Sequence, residues 1–203
     1  MAIKAIIFDV GEVLITNARN DRHYYPYLSK ISNISQQKIK KIIDDGPLPE
    51  FEKGNMTLKE FSGIVAKKLG IKVSEVRYKE EFAENGRLNL ELIKRIKKLR
   101  KKYKVAYLTD VDKSRYPYLK KFLNGYEKLF YKHFASCYLG IRKENERTFE
   151  IVLKRLGMKG NETLFIDDLK KNVESARKAG IKAIRFKNNR QLEKDFDKLG
   201  VHA

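Results

Sequence analysis

Side chains that could bind a cation or a phosphate follow three short apolar runs that lie far apart in the sequence. They are Asp9, Thr109, Asp110, Asp167 and Asp168. If the three runs are strands of one parallel sheet, their carboxyl ends meet at the edge where such sheets bind ligands. Each aspartate alone is also an ordinary turn or helix-capping residue, so the prediction depends on their shared placement.

The chemistry of these groups points to phosphoryl transfer. Carboxylates at close range repel one another, which suggests a hard cation with oxygen ligands, most simply Mg²⁺. Lys143 stands in a loop before a predicted helix and supplies a second positive charge. A carboxylate nucleophile, a divalent cation, a hydroxyl and a lysine together suit a reaction that depends on positioning and positive charge.

The elements that must position these groups alternate between helix and strand after Leu88. Apolar runs predict strands at residues 4–8, 105–108, 133–138, 163–166 and 182–186. Helical patterns occupy residues 90–102, 115–123, 146–156, 172–179 and 190–199. This alternation, with short uncharged strands, predicts an α/β fold: a Rossmann-like parallel sheet with helices on both faces.

Residues 18–87 interrupt this order with helical periods and predict an inserted α-helical cap. Its clearest helix spans residues 57–69, where Thr57 and Glu60 fit a capping box and Gly70 ends the helix. The aromatic run at residues 23–27 (HYYPY) either lines a pocket under the cap or packs between the cap helices, and we favour packing. The α/β core then comprises residues 1–17 and 88–203.

The net charge of the chain bears on the kind of partner that it binds. The chain carries 45 Lys and Arg against 26 Asp and Glu, a net charge of +19 that attracts anionic small molecules. The densest stretch, residues 94–104, keeps apolar residues at helical spacing, which is typical of a solvated helix face. No nucleic-acid motif accompanies the charge, so we do not favour a nucleic acid as partner.

The cysteine count and the lengths of the apolar runs indicate in which cellular compartment we expect the protein. A single cysteine, Cys137, excludes a disulfide framework, and with three histidines it cannot form a Cys/His metal cluster. We expect Cys137 to be a buried strand residue. No apolar run approaches the length of a membrane span, and residues 3–8 are too short for a signal-peptide core. We therefore expect a cytoplasmic protein without a membrane partner.

Four ordered segments resemble the motifs of the haloacid dehalogenase (HAD) superfamily. They are residues 7–14 (IFDVGEVL), 107–110 (YLTD), 140–143 (GIRK) and 164–180 (LFIDDLKKNVESARKAG). With residues 51–61 of the cap (FEKGNMTLKEF), they are similar to the small phosphatases that resemble bacterial glucose-1-phosphatase, whose first motif reads Asp-x-Gly. The resemblance implies a Mg²⁺-dependent phosphatase that hydrolyses a small phosphorylated metabolite through an aspartyl-phosphate intermediate.

The resemblance also implies a role for each motif residue. Asp9 would be the nucleophile. The Mg²⁺ ligands would be Asp9, the backbone carbonyl of Gly11, Asp167 and Asp168. The phosphate-binding residues would be Asp9, Thr109, Asp110 and Lys143. Asn172 aligns with a position that is often acidic in the family.

The chain departs from the family pattern at the position of the general acid and base. Most superfamily phosphatases have a second aspartate two residues after the nucleophile, where this chain has Gly11. Such a group contributes about 10²–10⁴-fold, so we expect slow turnover unless the leaving group is good. Glu12 and Asp110 are candidate substitutes, and His23 in the cap is a third.

Two further departures concern charge beside the phosphate. Asp110 stands where the family usually has asparagine, and its carboxylate would weaken phosphate binding unless a cation offsets it. Glu144 stands where proline is usual, and either pairs with Lys143 or begins the next helix, where acidic residues are favourable. We favour the helix.

These departures leave other functions open. One is a HAD-fold protein that has lost useful catalysis and serves as a binding or regulatory module, with a nucleic acid on its basic face as one version. A dehalogenase is less favoured, because Gly11 does not fit that motif and the pair Asp167–Asp168 suggests a metal.

Overall fold

The computed structural model describes residues 2–18, 20 and 23–202. Its strands are β1 (Ala5–Phe8), β2 (Ile15–Thr16), β3 (Arg87–Leu88), β4 (Lys104–Thr109), β5 (Lys132–Ala135), β6 (Thr163–Asp167) and β7 (Lys182–Arg185). Its α-helices are α1 (Tyr24–Ser32), α2 (Gln36–Asp44), α3 (Leu48–Glu52), α4 (Leu58–Leu69), α5 (Tyr78–Asn85), α6 (Leu90–Leu99), α7 (Tyr116–Phe122), α8 (Ser136–Leu139), α9 (Arg147–Leu156), α10 (Lys170–Lys178) and α11 (Asn189–Lys198).

A five-stranded parallel sheet in the order β5-β4-β1-β6-β7 forms the centre of the α/β core, as the sequence predicts. Phe8 at the end of β1 lies opposite Tyr107 of β4 and Ile166 of β6. Asp9 therefore leaves the sheet level with Asp167. Because all five strands run in the same direction, the polar residues that end β1, β4 and β6 share one edge of the sheet.

Helices cover both faces of the sheet because successive strand residues point to opposite sides. On one face, Ile6 packs in a cluster with residues of α6 and α11. On the other face, Ile7 packs in a cluster with residues of α9 and α10. Both side chains are fully buried. In α6 four apolar residues are buried, namely Leu92, Ile93, Ile96 and Leu99, whereas Leu90 at the start of the helix is exposed. Lys94, Lys97 and Lys98 are also exposed, which confirms the amphipathic pattern of this basic helix.

The inserted helices α1–α5, called the cap below, have a hydrophobic cluster of their own. Its buried residues run from Tyr24 to Tyr78 and include a stacked pair of rings, Phe51 and Phe61. Tyr24 and Tyr25 are buried in this cluster, as expected if the aromatic run packs between the cap helices, but Tyr25 also lines the cavity under the cap, so both interpretations hold for that residue. The two-stranded antiparallel pair β2–β3 lies where the chain leaves the core and returns to it.

The two ends of helix α4 confirm its sequence pattern. Thr57 and Glu60 form both hydrogen bonds of a capping box, and Gly70 ends the helix in a left-handed conformation. No helix in the described part of the chain combines the length and the apolar character that crossing a bilayer requires.

The structure corrects one predicted strand. Residues 133–138 do not form a single strand, because β5 ends at Ala135 and the short helix α8 begins at Ser136. The Ser136 hydroxyl donates to the Glu52 carbonyl at 2.6 Å and accepts the Val111 N–H at 3.0 Å, and these long-range bonds hold the turn. Cys137 is buried as expected, but it lies in α8 and not in a strand.

Candidate active site

Three residues from distant parts of the chain form a buried ion-pair cluster at the carboxyl edge of the sheet. The Lys143 ammonium lies 2.5 Å from a carboxylate oxygen of Asp9 and 2.8 Å from one of Asp167. Asp9 follows β1, Asp167 ends β6, and Lys143 enters from the loop between α8 and α9. All three side chains are buried. The sequence predicted that these residues would meet.

The carboxylate of Asp167 is held in one orientation by its neighbours in the chain. The Leu169 N–H donates to it at 2.8 Å, and the Asn172 amide donates to both of its oxygens at 3.1 Å. Asn172 projects from the first turn of α10, which begins three residues after Asp167. The asparagine thus provides two hydrogen bonds where the family often has an acid.

The donor set fits the predicted Mg²⁺. Asp9, Asp167 and Asp168 each place a carboxylate oxygen within 4.8 Å of the other two. These are hard oxygen ligands, which Mg²⁺ prefers. Within the part of the chain that the structure describes, the side-chain oxygen of Asn172 is buried without a hydrogen-bond partner, so this wall holds a further oxygen that can accept a hydrogen bond. Gly11 lines the same cavity.

Burial and neighbouring charges act on the pKa values of Asp9 and Lys143, and both values are raised, for different reasons. Burial raises the pKa of Asp9 well above its usual range, Lys143 acts against this shift, and Asp167 and Asp168 add to it. Burial disfavours the Lys143 ammonium, but Asp167 and Asp9 outweigh that effect and raise its pKa. The lysine therefore stays charged, while the crowded carboxylates need more positive charge than it provides.

Asp110 lies beside the lysine loop. Its carboxylate accepts the Lys143 backbone N–H at 3.1 Å and lies 3.8 Å from the Arg142 guanidinium. Burial raises the pKa of Asp110, while Lys143 and Arg142 lower it. These cations provide the offset that an aspartate at this position requires. Thr109, buried at the end of β4, lines the cavity next to it.

The other candidate residues are placed less centrally. Glu12 accepts the Ala18 N–H at 2.8 Å and is not among the residues that line the cavity. His23 precedes α1 and also lies outside the cavity lining. Glu144 pairs with Arg142 and Lys171, both at distances of 2.8–2.9 Å. No Glu144–Lys143 pair occurs among the described residues, and α9 begins only at Arg147, so Glu144 does not begin that helix either.

The cluster opens into a cavity of about 810 Å³ between the core and the cap. The core side carries the residues described above. The cap side is also polar, and its lining includes Asn20, Tyr25, Lys40, Lys41, Asp44 and Glu52. Tyr25 donates a short hydrogen bond to Asp44, which also pairs with Lys40. A leaving group held here would meet charged and hydrogen-bonding side chains.

The sequence interpretation gave no role to several charged residues of this cavity, and three of them, Glu52, Arg115 and Arg142, form one group of ion pairs. Two of them lie inside segments that were recognised, FEKG and GIRK, but without a role. Glu52 forms ion pairs with both arginines, at 3.3 Å to Arg115 and 3.0 Å to Arg142. The only signal in the sequence was the placement of a charged residue next to each recognised motif position, which does not identify its partner.

Comparison with known proteins identifies the family and the fold. The model of the haloacid dehalogenase-like hydrolase family matches residues 3–180. The HAD family enzyme bt-2542 from Bacteroides thetaiotaomicron superposes with a TM-score of 0.81 at 25% identity, covering 95% of this chain and 99% of that one. A crystal structure of bt-2542 holds magnesium and inorganic phosphate, and it shares the fold with a TM-score of 0.74 at 23% identity over 94% of this chain and 99% of that one.

Curated relatives of similar sequence have diverse names. A sesquiterpene phosphatase of Aspergillus oryzae is 25% identical over 88% of this chain and 87% of its own length. A drimenol cyclase of Aspergillus calidoustus is 23% identical over 97% of this chain. The chain spans at most 36% of the length of the first curated relatives that it matches.

Proposed function

Since the chain belongs to the haloacid dehalogenase-like hydrolase family, we propose that it is a Mg²⁺-dependent phosphatase that hydrolyses a small phosphorylated metabolite through an aspartyl-phosphate intermediate. One observation carries the proposal: the Lys143 ammonium lies between the buried carboxylates of Asp9 and Asp167, at 2.5 and 2.8 Å. Asp168 brings a third carboxylate to the same place. A carboxylate nucleophile beside a cation-binding cluster suits phosphoryl transfer.

In the first step, a carboxylate oxygen of Asp9 attacks phosphorus while the bond from phosphorus to the leaving oxygen breaks. In the second step, a water oxygen attacks phosphorus and the Asp9–phosphorus bond breaks, which releases inorganic phosphate and restores the carboxylate. Lys143 neutralises charge on Asp9 and on the phosphoryl oxygens, and Thr109 donates a hydrogen bond to them. When bound, Mg²⁺ would be held by Asp9, Asp167, Asp168 and the Gly11 carbonyl, and it supplies charge neutralisation and alignment.

The leaving oxygen needs a proton that Gly11 cannot provide. Asp110 is the better placed of the two carboxylate candidates, because it lines the cavity and burial raises its pKa, so that it holds a proton at a higher pH than an exposed aspartate. Glu12 is engaged with Ala18 outside the cavity lining. We therefore expect turnover to depend strongly on the quality of the leaving group.

The comparisons support this proposal at the level of the family. The Bacteroides enzyme bt-2542, which shares the fold, was crystallised with magnesium and inorganic phosphate. The Aspergillus oryzae relative is named a sesquiterpene phosphatase. On the cap side of the cavity here, Lys40, Lys41 and Asp44 favour a leaving group that carries polar groups, and Leu48 and Pro49 line the same side.

The test measures phosphate release from a panel of phosphorylated metabolites, with Mg²⁺ and with a chelator. Asp9→Asn removes the nucleophile, and Asp197→Asn is the matched control, since Asp197 is exposed in the last helix. We expect release that requires both Mg²⁺ and Asp9 and is unchanged in the control. Equal release by wild type and Asp9→Asn would contradict the proposal.

A binding protein with little catalysis is the second candidate, and Gly11 is the observation that favours it. In that case the panel yields no release above the Asp9→Asn level. Inorganic phosphate with Mg²⁺ would still raise the thermal midpoint of wild type more than that of Lys143→Met.

A further inference from the structure

The cap contacts the core through a short segment at the end of α3, residues 52–54. The Ser136 hydroxyl donates to the Glu52 carbonyl at 2.6 Å, and the Lys113 ammonium donates to the Gly54 carbonyl at 3.2 Å. Gly54 has φ +79°, and a Cβ there would lie 2.5 Å from the Cys137 carbonyl oxygen. The backbone of this segment therefore lies directly against the core, at a position that only glycine occupies without strain.

The carboxylate of Glu52 reaches from this segment to two arginines of the core. It lies 3.3 Å from the Arg115 guanidinium and 3.0 Å from that of Arg142, and it is 6% exposed. Burial raises the pKa of Glu52 to about 7, and Arg142 acts against the shift. A buried carboxylate between two cations is well compensated only while both of them are in place.

Both arginines are fixed by further contacts. Arg115 pairs with Asp112 at 2.8 Å, donates to the Asn20 amide oxygen at 3.0 Å, and stacks 4.0 Å from the centre of the Tyr78 ring. Asn20 and Tyr78 belong to the insertion, so Arg115 contacts it at three points, Glu52 included. Tyr78 is fully buried.

Arg142 extends the contact to the loop that carries Lys143. It immediately precedes Lys143 in the chain and lies 3.8 Å from Asp110, whose carboxylate accepts the Lys143 backbone N–H. A continuous series of charges thus leads from the cap through Glu52 and Arg142 to the residue that contacts Asp9. A shift of the cap would change the surroundings of the lysine without any direct contact to it.

We propose that Glu52 is a positioning residue that bridges Arg115 and Arg142 to hold the cap closed on the core and to keep the Lys143 loop in place. Its kinetic consequence rests on the proposed phosphatase function, whereas the closed contact itself does not. Without the carboxylate, Arg115 keeps its pair with Asp112 and Arg142 keeps its pair with Glu144, but the two guanidinium groups lose the charge that joins them and their mutual repulsion is less well compensated. The cap then opens, and the cavity that holds the leaving group loses one wall.

The first experiment measures amide hydrogen exchange of the full chain. Glu52→Gln removes the charge at nearly constant shape, and Glu50→Gln is the matched control, an exposed glutamate of the same helix that pairs with Lys53. We expect exchange at residues 48–56 and 110–115 to rise at least tenfold in Glu52→Gln only, with residues 163–178 unchanged. Equal exchange in the two variants overturns the proposal.

A second variant distinguishes loss of the ion-pair bridge from general misfolding. Glu52→Asp keeps the charge but withdraws the carboxylate by one methylene, so it weakens the bridge without removing the negative charge between the two arginines. We expect the same segments to exchange faster than in wild type, by a smaller factor than in Glu52→Gln. Faster exchange throughout the chain, the 163–178 segment included, in both variants would assign Glu52 a general structural role and overturn the proposal.

The kinetic experiment uses the best substrate of the panel. We expect Glu52→Gln to lower kcat/KM for the best substrate at least tenfold, through both KM and kcat. Arg142→Gln should have a similar effect, and the double variant should be no worse than the more severe single one. Additive losses, or unchanged kinetics beside faster exchange, overturn the positioning role. If wild type releases no phosphate, the proposed function fails, while hydrogen exchange still decides whether Glu52 closes the cap.

Discussion

The two walls of the cavity differ in how their charges are balanced. On the core wall, the Lys143 ammonium contacts the carboxylates of Asp9 and Asp167, and Asp168 places a third carboxylate oxygen within 4.8 Å of theirs. Where the cap meets the core, Glu52 lies between two guanidinium groups, those of Arg115 and Arg142. In the first arrangement one ammonium lies between two buried carboxylates, and in the second one carboxylate lies between two guanidinium groups.

This difference separates two tasks. The core wall is held open for a cation because its carboxylates belong to rigid strand ends and cannot move apart to relieve their repulsion. The Glu52 contact needs no additional ion, since its partners come from both parts of the chain and compensate one another. We therefore assign metal and phosphate binding in the proposed function to the core, and closure to the contact of Glu52 with Arg115 and Arg142.

The strongest disturbance of the core wall is Lys143→Met. Removing the ammonium leaves Asp9 and Asp167 buried without a cation, which should cost about 3–5 kcal/mol of unfolding free energy. Denaturant unfolding with a chelator measures the loss, and we expect Mg²⁺ to restore part of it. Phosphate release should fall by about 10³-fold. Lys170→Met, at an exposed lysine that is not part of the cavity lining, is the control and should change neither quantity appreciably.

A gain of activity should follow from Gly11→Asp. A Cβ at Gly11 meets nothing within 4 Å, so the side chain fits at the position where most of the family has its acid and base. We expect kcat to rise by about 10²-fold for an alkyl phosphate, whose leaving group needs a proton, and to change little for p-nitrophenyl phosphate. An equal change for both substrates would show that proton donation does not limit the wild type.

A pair of glycine substitutions tests the contact between residues 52–54 of the cap and the core. Gly54→Ala places a methyl group against the Cys137 carbonyl at a left-handed φ and should cost about 2 kcal/mol. Gly63→Ala, inside α4 with nothing within 4 Å of the new Cβ, should stabilise by about 1 kcal/mol. Thermal and denaturant unfolding measure both. Destabilisation of the same size at both sites would mean that the close contact at Gly54 is not what matters.

The smallest effect is expected from Asp110→Asn. The amide oxygen can still accept the Lys143 N–H, but the negative charge beside the phosphate site is removed. Since Arg142 and Lys143 already offset most of that charge, we expect KM to fall by only about threefold. A fall in kcat that grows as the leaving group worsens would instead identify Asp110 as the proton donor.

Much of the core wall could be predicted from local sequence. An apolar run that ends in Asp9 and another that ends in Asp167 predict strands whose carboxyl ends carry acids, and the parallel arrangement brings those ends together. The helix that begins at Leu58 was equally local, because a capping box is formed by residues three positions apart. In these cases short-range pattern and final geometry agree.

The predicted strand at residues 133–138 failed for the opposite reason. Its last three residues, including Cys137, turn into a helix because Ser136 bonds to Val111 and to Glu52, 25 and 84 residues away. Intrinsic strand propensity is weak compared with such a contact. The same contact places Glu52, so the error in the strand and the missed residue have one cause.

The sequence by itself determined the order of strands and helices, the acids at the strand ends, the lysine that compensates them and the absence of an acid at Gly11. Those features depend on residue type and on spacings within one element. Only the tertiary structure decided that Glu52 lies between Arg115 and Arg142, that Asp110 faces Arg142, and that Glu144 pairs with Lys171 and Arg142 rather than Lys143. A charged side chain pairs with the opposite charge that lies near it after folding. Packing of the cap on the core determines which distant segments lie near each other.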